Sequence, residues 1–133
     1  KDDQNLINNL LNWMKQNKVD YTNTFCNLMD INSDEVYKDN NFILWKNNWK
    51  KRSELNNLSK EKQIKLMEKN NPIVIPRNHK VEEALAEASK GNLDNFKNLL
   101  DVLKKPYSKQ NKIEKYQMPA PLSNKKYQTY CGT

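Results

Sequence analysis

Between residues 4 and 103, apolar side chains recur every three or four positions in successive stretches, each closed by polar capping residues, a glycine or a proline. This spacing lays a stripe along an α-helix and does not fit the alternate-residue pattern of a half-buried strand. Leu6, Leu10, Trp13 and Met14 form the first stripe, which Ile7 and Leu11 widen. Asp20 is placed to cap a second helix carrying Tyr21, Phe25, Leu28 and Met29, with Cys26 beside the stripe as a packing residue. The polar run 32–41 holds Val36 and Tyr37 and fits either a short helix or a loop. From 41 to 55, Phe42, Trp45 and Trp49 fall at i, i+3 and i+7, with Arg52 continuing the stripe and Lys50 and Lys51 turned away. The two tryptophans are expected to anchor the core.

Ser59 is placed to cap a helix with Ile64, Leu66 and Met67, which must stop near Asn70 because Pro72 biases the residue before it toward extended backbone. The stretch NPIVIPRNH has prolines around β-branched residues and reads as an ordered connector, since it cannot be helical throughout. Val81, Ala84, Leu85 and Ala88 mark a further helix, with Gly91 as its left-handed C-terminal residue. Asn92 is placed to cap the last helix, whose face of Leu93, Phe96, Leu99, Leu100 and Leu103 runs to Pro106. These two helices should pair as a hairpin.

Only two glycines occur in 133 residues, which disfavours a hairpin-rich β fold. The expected fold is all-α: a compact domain of about five to seven helices over residues 1–105, then an extended basic tail over 106–133 that ends YCGT. Lysine plus arginine exceed aspartate plus glutamate by one over residues 1–103 and by six over 104–133, so the tail holds nearly all of the net +7. Cys26 and Cys131 fit no zinc-ligand spacing and the single His79 cannot complete a site, so no metal is expected. No apolar run is long enough to span a bilayer and no targeting segment is visible, which leads to the expectation of a soluble, intracellular fragment. Lysines interleaved with Tyr107, Tyr116, Tyr127 and Tyr130 give the alternative function, a stand-alone basic module that binds nucleic acid or a protein partner. The tail lacks arginine and matches no nucleic-acid module, so nucleic acid is disfavoured; no amphipathic face accompanies its charge, which disfavours a membrane surface.

Five segments in order carry a more specific signal: DYTNTF at 20–25, FILWKNNW at 42–49 with Arg52 after it, NPIVIPRNH at 71–79, VEEALAEASKGNLDNFKNLLDVLKKPY at 81–107, and YCGT at 130–133. Together they resemble the carboxy-terminal region of the selenoprotein O family of kinase-like protein adenylyltransferases, over almost the whole chain. Cys26 departs from the pattern, since the family usually has arginine there. The resemblance implies a larger parent whose upstream kinase-like domain binds ATP with Mg or Mn and transfers AMP to Ser, Thr or Tyr hydroxyls of protein substrates. No glycine-rich phosphate loop, kinase lysine, catalytic loop or DFG triplet is found here, so no catalytic, cofactor-binding or metal residue carries over. The implied role is a helical block that buttresses the kinase-like domain and limits access to its active site.

Within the family motif, Asn71, Pro72, Arg77 and Asn78 read as structural, with Asn78 capping the next helix and Arg77 paired to a carboxylate; the competing reading puts the guanidinium on phosphate or an acidic partner. His79 reads as a surface or capping residue. Cys131 is the one functional position that transfers. It stands where some members have selenocysteine, and the resemblance implies a redox switch in which it pairs with a cysteine of the kinase-like domain. The residues alone favour an inert terminal cysteine, and only the resemblance reverses that reading. The CGT ending is similar to the bacterial branch and implies the cytoplasm; eukaryotic members are mitochondrial.

Overall fold

The computed structural model describes residues 2–31 and 33–121. Among them lie seven α-helices and no strand, in agreement with the all-α expectation: α1 Asp2–Gln16, α2 Tyr21–Leu28, α3 Asn40–Glu54, α4 Lys60–Asn70, α5 Asn78–Ser89, α6 Asp94–Leu103 and the single turn α7 Glu114–Gln117. A 3-10 turn, Glu35–Lys38, settles the polar run that the sequence left open.

Two apolar clusters form the core. The first joins Leu10, Trp13 and Met14 of α1 to Phe42 and Trp45 of α3, with Leu28 and Tyr37 closing it. Phe42 is at its centre, with ring centroids 4.6 Å from Trp13, 5.2 Å from Tyr37 and 5.9 Å from Trp45. Both indoles keep hydrogen-bond partners as they are buried: Trp13 Nε1 donates to Asp39 Oδ2 at 2.7 Å and Trp45 Nε1 to the Leu6 carbonyl at 2.8 Å. The same Asp39 oxygen accepts the backbone N–H groups of Asn41 and Phe42, so one carboxylate caps α3 and fixes α1 against it. At the surface of this pair Arg52 meets Asp3 at 2.6 Å. The contact is two-pronged, with Nη2 also donating to Asp3 Oδ2 at 2.9 Å, the geometry in which an exposed ion pair adds a modest stability.

The second cluster holds Cys26 and Met29 of α2, Ile73 and Val74 of the connector, Ala84 of α5, Leu99 of α6, and Ile113 and Tyr116 near α7. Helices α5 and α6 do pair as a hairpin. Gly91 turns between them at φ +90, the left-handed conformation that only glycine adopts without strain. Met67 of α4 touches both clusters and so bridges them.

Three local expectations are corrected. Asn78 does not cap α5: it is the first helical residue, Arg77 stands at the cap position, and no side chain caps that end, because a guanidinium has only donors and cannot accept a backbone N–H. The core does not stop at residue 105, since Ile113 and Tyr116 are buried and the Ile73 N–H donates to the Pro106 carbonyl at 2.8 Å; residues 106–121 pack back on the domain through apolar side chains at i and i+3 that the scattered composition hid. Finally, Asn92 does accept the Asp94 N–H at 3.0 Å, but Leu93 holds the cap position of α6, and of the broad apolar face only Leu99 is buried while Leu93, Phe96 and Leu100 are exposed. Residues 122–133, which include Cys131, lie outside the described residues.

Candidate functional site

Helix α2 has the sequence YTNTFCNL, with polar and apolar residues on all sides, and it is buried on nearly all of them: Thr22, Asn23, Thr24, Cys26, Asn27 and Leu28 are all inside. Such a helix must find partners for its polar groups within the fold. Thr24 Oγ1 donates to the Asp20 carbonyl at 2.8 Å, and Asp20 Oδ1 accepts the Asn23 N–H at 2.9 Å, capping the helix as its sequence position suggested.

The same carboxylate meets the NPIVIPRNH connector. Arg77 Nη1 donates to Asp20 Oδ2 at 2.8 Å and Nη2 to Asp20 Oδ1 at 2.9 Å, a two-pronged contact between residues 57 apart in sequence, and Nη2 also approaches Asn23 Oδ1 at 3.4 Å. The guanidinium is almost fully buried and the carboxylate mostly so. Burial alone raises the Asp20 pKa, but the Arg77 hydrogen bonds, the Asn23 and Thr22 backbone N–H groups and the guanidinium charge outweigh it, so the net shift is downward. Arg77 Nε is buried without a hydrogen-bond partner, the one such side-chain atom among the described residues. Asn23 extends the cluster: its Nδ2 donates to the Gln117 carbonyl at 3.1 Å, and Gln117 Nε2 donates to the Ile73 carbonyl at 2.8 Å. Five residues thus tie α2, the connector and α7 into one unit.

This arrangement favours holding over chemistry. Its guanidinium is already saturated on the carboxylate side, and Cys26 next to it is 1% exposed. Burial, then the Asp20 charge, push the Cys26 thiol pKa up against the opposing pull of Arg77, which keeps it protonated and inert. His79 is half-buried with its pKa lowered by burial and by the Lys80 and Arg77 charges, so it is neutral at pH 7. Of the motif residues, Arg77 has the carboxylate partner expected of it, Asn71 ends α4 in extended geometry before Pro72, and Asn78 is at the start of α5. Asn23 and Gln117 were missed from sequence. The available signal was a helix of eight residues too polar on every side to be amphipathic yet flanked by core residues.

A family model described as protein adenylyltransferase SelO matches residues 1–104. The chain belongs to the SelO family. It is 50% identical over 135 residues to the protein nucleotidyltransferase YdiU of Pelagibacter ubique (strain HTCC1062), covering 100% of this chain and 28% of that protein. The YdiU proteins of Clostridium perfringens (strain SM101 / Type A), 43% identical over 135 residues, and Bacillus mycoides (strain KBAB4), 42% identical over 134 residues, are also covered to 28%, by 100% and 98% of this chain. The chain therefore spans 28% of the length of these SelO-family relatives. No solved structure matches it.

In this SelO-family chain the DYTNTF and NPIVIPRNH segments meet through Asp20 and Arg77, so two of the five segments form one contact. No group of three or more His, Cys, Asp or Glu side chains among the described residues is placed to hold a metal ion. Among the same residues, no helix is long and apolar enough to cross a membrane.

Proposed function

We propose that this chain is the carboxy-terminal helical part of a cytoplasmic protein adenylyltransferase, which supports a kinase-like domain and does not itself carry the chemistry. The observation that carries this reading is the family match over residues 1–104 by a chain spanning 28% of its relatives' length. In this reading ATP, a divalent metal and the protein substrates are bound by the remaining part, and AMP passes from ATP to a Ser, Thr or Tyr hydroxyl with release of pyrophosphate. The Asp20–Arg77 clamp supports the structural role, because it spends the chain's best-placed guanidinium on internal order. Incubating the full-length protein and this chain separately with ATP and Mg or Mn should give AMP-modified protein only with the former. Transfer by the chain alone would overturn the division of labour.

Cys131 is proposed as the regulatory thiol of the same protein, forming a disulfide with a cysteine in the remaining part. Cys26, buried and held protonated, is the less suited partner. Non-reducing peptide mapping of the oxidised full-length protein should find Cys131 in a disulfide, and Cys131→Ser should remove the redox sensitivity of AMP transfer. An unchanged redox response in that variant would remove the switch.

A further inference from the structure

Away from the Asp20–Arg77 clamp, helices α2, α3 and α4 enclose a pocket of about 250 Å³. Leu28, Trp49, Ile64 and Met67 contribute apolar lining, and three lysines meet at it: Lys46 and Lys50, one turn apart on α3, and Lys60 at the start of α4. The lysines come from two elements, so their meeting is a product of tertiary packing and not of a charged run. Two carboxylates, Asp30 and Glu54, also line the pocket and leave it with an excess of positive charge.

Lys46 shows what this arrangement does to the groups within it. Its side chain is 21% exposed, and its ammonium donates to Asn27 Oδ1 at 3.3 Å and lies 3.8 Å from Asp30 Oδ1. Burial lowers its pKa, Asp30 works against the shift, and the charges of Lys50 and Lys60 add to it. Like charges gathered at a partly enclosed apolar surface repel one another, and an anion would relieve that repulsion. A convergent polar group beside an apolar and aromatic wall is also the usual make-up of a small-molecule site.

We propose that this pocket binds a small amphipathic anion, with a phosphate or carboxylate head against Lys46, Lys50 and Lys60 and a ring-sized apolar body against Trp49. The volume is below the usual range for drug-sized ligands, roughly 300–1,000 Å³, and this sets the body at about one ring. Binding here is independent of AMP transfer, which the preceding reading assigns to another part of the protein.

Lysine footprinting of the full-length protein tests it, with phenyl phosphate as the probe and phenol and inorganic phosphate as its two halves. Saturating phenyl phosphate should protect Lys46, Lys50 and Lys60 from acylation, as read by mass spectrometry, and leave the exposed Lys97 and Lys104 unprotected. Phenol should protect none, and inorganic phosphate should protect only at higher concentration. The Lys50→Gln/Lys60→Gln variant, altered at two exposed positions, should bind phenyl phosphate about tenfold more weakly, keep its thermal midpoint and retain AMP transfer. No selective protection at the three lysines, equal protection by inorganic phosphate, or unchanged affinity in the variant would overturn the site. Loss of AMP transfer in that variant would overturn its independence from catalysis.

Discussion

Replacing Arg77 with methionine is expected to destabilise the chain by about 3 kcal/mol, at the lower end of what breaking a buried ion pair costs, since Asp20 retains some solvent access. The loss has two sources: the two-pronged contact disappears, and the Asp20 carboxylate is left desolvated without its countercharge. Arg77→Lys should recover only part of it, because an ammonium cannot present the planar fork that meets both carboxylate oxygens. The Asp20→Asn/Arg77→Met double variant should be less unstable than the sum of the single changes, since asparagine preserves the cap on α2 and no charge is stranded. Denaturant unfolding of the four proteins supplies the cycle, and additive effects would remove the coupling. The pH dependence has a definite sign. The Asp20 pKa is lower in the folded chain, so its contribution is complete above the unfolded aspartate value of about 3.9 and is lost as pH falls through the folded value. The gap between wild type and Arg77→Met should therefore narrow in acid.

Phe42→Ala should cost about 3–5 kcal/mol, the usual range for truncating a buried aromatic residue. Phe42 is 1% exposed and is in ring contact with Trp13, Tyr37 and Trp45. Its removal leaves a void that those rings, themselves fixed through Trp13 to Asp39 and Trp45 to the Leu6 carbonyl, cannot close. Near-ultraviolet circular dichroism should weaken more than the helical signal, because the packing of α1 on α3 is lost before the helices are. Phe42→Leu, which retains most of the volume, should cost about 1.5 kcal/mol or less. A cost below that for the alanine variant would show that the first cluster does not centre on this ring.

Elements stabilised within a few residues of sequence could be read directly. Asp20 and Ser59 accept the backbone N–H groups of Asn23 and Lys62, and Gly91 takes the positive φ that its place after a helix required. Pro72 and Pro106 end helices for reasons intrinsic to their rings. The paired DYTNTF and NPIVIPRNH segments were visible as motifs, and Arg77 could be expected to have an acidic partner, but not Asp20 in particular.

What sequence could not give is the choice among equally apolar positions. Leu99 is buried while Leu93 at the cap and Phe96 and Leu100 on the same helix are exposed, and Ile113 and Tyr116 enter the core from a stretch whose scattered composition hid their spacing. By itself the sequence determined the all-α class, the helix ends set by Asp20, Ser59, Pro72 and Gly91, and the family, because spacing, capping and motifs act between near neighbours. Tertiary structure alone decided the Asp20–Arg77 clamp, the Asn23–Gln117 contact and the meeting of Lys46 and Lys50 with Lys60. Each of these depends on how separate helices dock, and docking is set by the shape and burial of whole faces.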